Sequence, residues 1–128
     1  MTPKTILVVD DTAEVRCVFS TILQHAGYGV IEAVNGAEGV ERAREHRPAL
    51  ILMDLAMPVM SGREATQQIK ADPATAEIPV IAATAHVLFR EDHENLRTNG
   101  FAGCLHKPLT PSRLLTEVHD RIGPAAVS

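Results

Sequence analysis

Ile6-Leu7-Val8-Val9-Asp10-Asp11 is an apolar run that breaks into two adjacent acids. A short apolar run without helical spacing reads as a fully buried strand, here Thr5 to Val9. Leu50-Ile51-Leu52-Met53-Asp54 repeats the pattern, and a third run, Phe101 to His106, is followed by Lys107-Pro108. In an open parallel sheet the C-terminal strand ends line the crevice where ligands bind. Carboxylates of Asp10, Asp11 and Asp54 gathered there repel one another unless something positive joins them. A hard cation with oxygen ligands, together with Lys107, resolves that conflict. The arrangement suits a magnesium ion and a phosphoryl group.

Outward from these runs, strand and helix alternate five times, which favours an α/β fold with a parallel sheet. The first helix is predicted from Thr12 to Ala26, with Val15, Val18, Phe19, Ile22, Leu23 and Ala26 at helical spacing and Gly27 as its stop. Gly29 to Ala33 reads as the weakest strand. Asn35-Gly36 resembles a hairpin turn, but Ala37 to Glu45 reads as helix, so a hairpin is rejected. Strand three covers Ala49 to Met53. Ser61 to Ala71 is a helix with a Ser61/Glu64 capping box, ended by Asp72-Pro73. Strand four is placed at Ile78 to Ala83. The next helix, Val87 to Asn99, is polar and has few residues for a core, which makes it easy to shift. Pro111 opens the last helix, whose buried stripe is Leu114, Leu115, Val118 and Ile122.

The chain has 128 residues, enough for one domain with a real core. We assign 1–123 to that domain and 124–128 to a short tail. No apolar run approaches the roughly 20 residues that span a bilayer, and residues 1–5 lack signal-peptide character. A cytoplasmic location without membrane insertion is expected. A net charge of −4 argues against direct nucleic-acid binding. Cys17 and Cys104 have no metal-ligand spacing and are expected to be reduced and mostly buried.

Ile6 to Asp11, Leu52-Met53-Asp54-Leu55-Ala56-Met57-Pro58 with Gly62, Ala83-Thr84-Ala85 and Lys107-Pro108 stand in this order at strand ends. In these pieces the chain resembles the receiver domain of bacterial two-component response regulators, in its stand-alone, chemotaxis-regulator-like form, from about Thr5 to Ile122. The resemblance implies a doubly wound five-stranded parallel sheet of order 2-1-3-4-5, flavodoxin-like, with helices on both faces. It implies that Asp54 is the nucleophile accepting a phosphoryl group, as a carboxylate can. Asp11 would then bind Mg²⁺ directly, Asp10 through water, and Asp54 and the Ala56 carbonyl would complete the ion's site. Lys107 would pair with Asp54 at rest and with a phosphoryl oxygen after transfer. The Thr84 hydroxyl would donate to the phosphoryl group and draw its loop inward, and the Lys107-Pro108 peptide would be cis. The implied phosphodonor is a histidine kinase or a histidine phosphotransfer protein. A downstream protein would read the face formed by the fourth helix, fifth strand and fifth helix. The domain is expected to be a signalling switch and not an enzyme, assisting only its own phosphoryl transfer and dephosphorylation. With few residues after Ile122, output is expected from another protein.

Two positions depart from the pattern. Receivers commonly carry Tyr or Phe three residues before the lysine, and here Cys104 stands there, so signalling is expected to run through the loop after Thr84 and the polar helix. His86 lies two residues beyond Thr84 at the rim of the site and reads as an exposed histidine, the alternative being that it influences the water attacking an Asp54 phosphate. His25, His46, His93, His106 and His119 show no ligand spacing. Other classes fit worse. A haloacid-dehalogenase phosphatase needs Asp-x-Asp after strand one, and Asp10-Asp11 are adjacent. A P-loop enzyme needs a Gly-rich loop ending in Gly-Lys-Ser/Thr, and an Asp pair would repel the phosphate of a flavin. The alternative is a receiver-like adaptor that binds proteins without being phosphorylated.

Overall fold

Five apolar runs build the sheet: β1 (Thr5–Val9), β2 (Gly29–Ala33), β3 (Leu50–Asp54), β4 (Val80–Thr84) and β5 (Gly103–His106). The helices between and after them are α1 (Ala13–His25), α2 (Gly36–His46), α3 (Gly62–Ala71), α4 (Arg90–Thr98) and α5 (Pro111–Ile122). The computed structural model describes residues 3–85 and 90–125. All strand pairs are parallel and the order is β2-β1-β3-β4-β5, as expected.

Alternation along each strand sends side chains to opposite faces, so a sheet covered on both sides needs apolar residues at every position. β3 and β4 are buried throughout for this reason. Leu7, Val9, Ile51, Met53, Val80 and Ala82 pack one core with Val40, Ala43, Ala65, Ile69 and Leu96 of α2, α3 and α4. Ile6, Val8, Leu50, Leu52, Ile81 and Leu105 pack the other with Phe19, Leu23, Leu114 and Val118 of α1 and α5. β2, at the sheet edge, is only half-buried.

The expected elements are present, with boundaries shifted for identifiable reasons. Asn35 caps α2 by accepting the Glu38 N–H at 2.8 Å, which disposes of the hairpin. The Ser61 hydroxyl oxygen accepts the Glu64 N–H at 3.3 Å, while the return bond joins the hydroxyl to the Glu64 carboxylate at 3.4 Å and not to a backbone N–H. β4 begins later than expected because the Ile78 N–H donates to Thr75 within a turn and Pro79 has no N–H to give a ladder. β5 likewise begins later, because Phe101 closes α4 by donating to the Leu96 carbonyl at 3.0 Å. Of α4, only the part from Arg90 is described; Leu96 is its one buried residue there, in keeping with a thin apolar face.

Burial departs from the sequence pattern in part: of the α5 stripe, Leu114 and Val118 are buried while Leu115 and Ile122 are only partly so. Val18 is 52% exposed, because it sits at the edge of the α1 stripe and faces the cleft shared with Lys107, Pro108 and Leu109. Cys17 is exposed, whereas Cys104 is partly buried against the α2–α4 core.

Candidate functional site

The strand order brings the ends of β1, β3, β4 and β5 side by side. Val9 pairs with Met53, Asp54 with Ala83 and Thr84 with His106. Asp10, Asp11, Asp54, Thr84 and Lys107 therefore fall on one edge. Among the described residues, Asp10, Asp11 and Asp54 are the one group of three His, Cys, Asp or Glu side chains placed to share a metal ion, their ligand atoms lying within 4.8 Å of one another. Asp11 is exposed, while Asp10 and Asp54 are buried at the strand ends.

Lys107 joins the cluster from the far side. Its ammonium lies 2.5 Å from Asp10 Oδ2 and 3.5 Å from Asp54 Oδ1. The expected pairing with Asp54 is thus present, but the tighter partner is Asp10. The Lys107–Pro108 peptide is cis, and the Lys107 N–H donates to the Thr84 carbonyl at 2.7 Å, which ties the lysine's loop to the end of β4. Thr84 is buried. The other Asp10 oxygen, Oδ1, accepts the Thr12 N–H at 2.9 Å.

Burial pushes the Asp54 carboxyl up from its ordinary range, and the carboxylates of Asp10 and Asp11 push it further. Lys107 and a hydrogen bond from the Ala56 N–H pull the other way without prevailing. Three carboxylates against one ammonium leave a surplus of two negative charges, so the donor set fits a divalent cation bound through oxygen.

Gly62 completes the wall. A Cβ there would lie 2.0 Å from the Asp54 carbonyl oxygen, so no other residue fits while the start of α3 lies this close to β3. The intervening loop contains a tight turn in which the Met60 N–H donates to the Pro58 carbonyl at 2.8 Å, with Val59 at a φ of 71°. A β-branched residue in that region is strained, and the sequence carries no Gly or Asn to announce it.

Cys104 occupies the position expected of an aromatic, and burial pushes its thiol pKa up, so the group stays protonated and small. His25, His46, His93, His106 and His119 are exposed and contribute nothing to the acidic cluster. His86 and the first part of the polar helix, Val87 to Phe89, lie outside the described residues. One residue beside the cluster was not singled out from the sequence. Arg16, five positions past Asp11, donates to the Asp10 carbonyl at 2.7 Å. Its signal was a basic residue in the first turns of α1, where an acid is the usual partner of the helix dipole.

Comparison with known proteins agrees with this geometry. The family model described as response regulator receiver domain matches residues 6–119. The polar-differentiation response regulator DivK of Brucella anthropi is 37% identical over 123 residues, covering 96% of this chain and 99% of its own length. The chemotaxis protein CheY4 of Vibrio cholerae superposes with a TM-score of 0.87 at 30% identity, over 92% of this chain and 98% of that one. The receiver domain of the sensor histidine kinase PA1611 of Pseudomonas aeruginosa PAO1, solved with a magnesium ion coordinated in its active-site cleft, superposes with a TM-score of 0.85 at 33% identity over 94% of this chain and 98% of that one. With most of its length matched by the family model and its strand order shared with solved relatives, the chain belongs to the response regulator receiver domain family of two-component signalling.

Proposed function

We propose that this domain is a phosphorylation-controlled switch that takes a phosphoryl group on Asp54 from a phosphohistidine of a histidine kinase or histidine phosphotransfer protein. The observation that carries this reading is the convergence of Asp54 with Asp10, Asp11 and Lys107 at the strand ends. An Asp54 oxygen attacks phosphorus, the P–N bond breaks, and the imidazole leaves with its electron pair and takes up a proton. Lys107 is close enough to meet a phosphoryl oxygen on Asp54 and offset its charge.

Asp11, exposed, Asp54 and the Ala56 carbonyl would hold a Mg²⁺ ion directly. Both Asp10 oxygens already accept hydrogen bonds, which favours contact through water. When bound, the ion would offset negative charge on the phosphoryl oxygens. Among the described residues no helix is long and apolar enough to cross a membrane, which is compatible with a cytoplasmic partner. The test is intact mass after treatment with acetyl phosphate and Mg²⁺. One phosphoryl adduct is expected, and an unmodified mass would favour a phosphorylation-independent adaptor.

The output reading is that phosphorylation alters the α4–β5–α5 face. Thr84 ends β4 at the site and is joined to the Lys107 loop. Thr84→Ala is expected to leave phosphorylation within a few-fold of wild type and to lose more than half of the chemical-shift response to beryllofluoride, a phosphoryl mimic. A full response in the variant removes Thr84 from the switch.

Cys104 cannot sweep a ring between pockets, so the described part of α4, held by Leu96, is the element we expect to move. A bias of about 1–3 kcal/mol suffices to redistribute so thinly anchored a helix. Hydrogen exchange within Arg90–Thr98 should change on adding beryllofluoride and Mg²⁺, and Cys104→Ser should keep most of that change. Loss of the change in Cys104→Ser, with the mimic still bound, would make the thiol part of the relay.

A further inference from the structure

Arg16 holds the end of β1 from behind. Its side chain is 15% exposed and bridges two strands. The guanidinium donates from Nη1 to the backbone carbonyl of Asp10 at 2.7 Å and from Nε to Glu32 Oε1 at 3.1 Å. Glu32 lies on β2, opposite Val8. On its other side, the Asp10 N–H donates to the Ala33 carbonyl of the same strand at 3.1 Å. Both peptide groups of Asp10 are therefore tied to β2, one directly and one through Arg16.

The Asp10 carbonyl and the Asp11 Cα belong to one planar peptide unit. A guanidinium that fixes this carbonyl also fixes the peptide plane, and with it the N–Cα bond from which the Asp11 side chain sets out. The planar fork of arginine makes two such bonds at once, which a lysine cannot do in the same geometry.

We propose that Arg16 is a positioning residue for the acidic cluster: it orients Asp11 for divalent-cation binding through the Asp10 carbonyl, with Glu32 as its outer anchor. This rests on the reading that the cluster holds such an ion. Charge alone works in the opposite direction. A cation near the site opposes Mg²⁺, so removing it would tighten binding, and its pairing with Glu32 already mutes that field. Positioning and charge thus predict changes of opposite sign.

The experiment is calorimetric titration of the full chain with MgCl₂, together with the Asp11 and Thr12 amide resonances recorded in EDTA. Arg16→Ala should weaken Mg²⁺ binding about 10-fold, the usual scale for losing a residue that orients a ligand. Arg16→Lys keeps the charge but loses one of the two bonds, and should weaken binding by less than Arg16→Ala does. In both, the Asp11 and Thr12 amides should shift before metal is added, which a purely structural loss of stability would not produce well below the melting temperature. Binding as tight as wild type, or tighter, in either folded variant overturns the proposal; if Arg16→Ala does not fold, Arg16→Lys decides. Absence of Mg²⁺ binding in wild type would sink the cation reading itself, and unshifted amides in the metal-free variants would then overturn the role of Arg16 separately.

Discussion

Asp54→Asn is expected to abolish phosphoryl uptake from acetyl phosphate, a fall of at least about 100-fold in rate, which corresponds to roughly 3 kcal/mol of barrier. An amide has nearly the size of the carboxylate but no anionic oxygen to attack phosphorus. No other carboxylate is expected to replace it: Asp10 is engaged by Thr12 and Lys107, and Asp11 lies away from the Lys107 ammonium contacts. Intact mass is the readout, and equal labelling of the variant would end the assignment. The same substitution has a second consequence. The Asp54 pKa in the folded, metal-free protein lies above its unfolded value of about 3.8 because of burial and the neighbouring acids. A carboxyl with a raised folded pKa binds more protons folded than unfolded, so stability falls as pH rises from the unfolded value through the folded one. The penalty is complete above that window. In EDTA, Asp54→Asn should therefore match wild type at the acid end and be more stable at neutral pH. Melting curves across pH check this, and an unchanged gap at all pH values would refute it.

Chelating divalent cations is expected to suppress phosphorylation by about 100-fold or more, because the attacking Asp54 otherwise meets an anionic phosphoryl group beside two further carboxylates. The surplus negative charge of the cluster is the motive. Asp11→Asn should act in the same direction, raising the Mg²⁺ requirement by at least about 10-fold. Since Asp11 helps raise the Asp54 pKa, the variant should also be slightly more stable than wild type without metal. Single-turnover labelling against MgCl₂ concentration measures the first effect. Full labelling of wild type in excess EDTA would contradict the mechanism.

Much of this was legible along the chain. Runs such as Ile6 to Val9 and Leu50 to Met53 are short and uniformly apolar, as buried strands are, and their alternation with helices favours a parallel sheet. Parallelism puts Asp10, Asp11, Asp54, Thr84 and Lys107 on one edge, because every strand presents the same end there, and the order β2-β1-β3-β4-β5 makes the strands that carry them neighbours. What the one-dimensional pattern could not decide is which side chains meet across that edge. Lys107 passes closer to Asp10 than to Asp54, Arg16 reaches back to the Asp10 carbonyl, and Gly62 admits contact with the Asp54 backbone. Val18 stands out in a cleft although it obeys the helical spacing of its buried neighbours. Periodicity reports the face on which a residue lies and is blind to how far the next element stands from that face. Those separations are set by loop paths and helix packing, which only the assembled tertiary structure supplies.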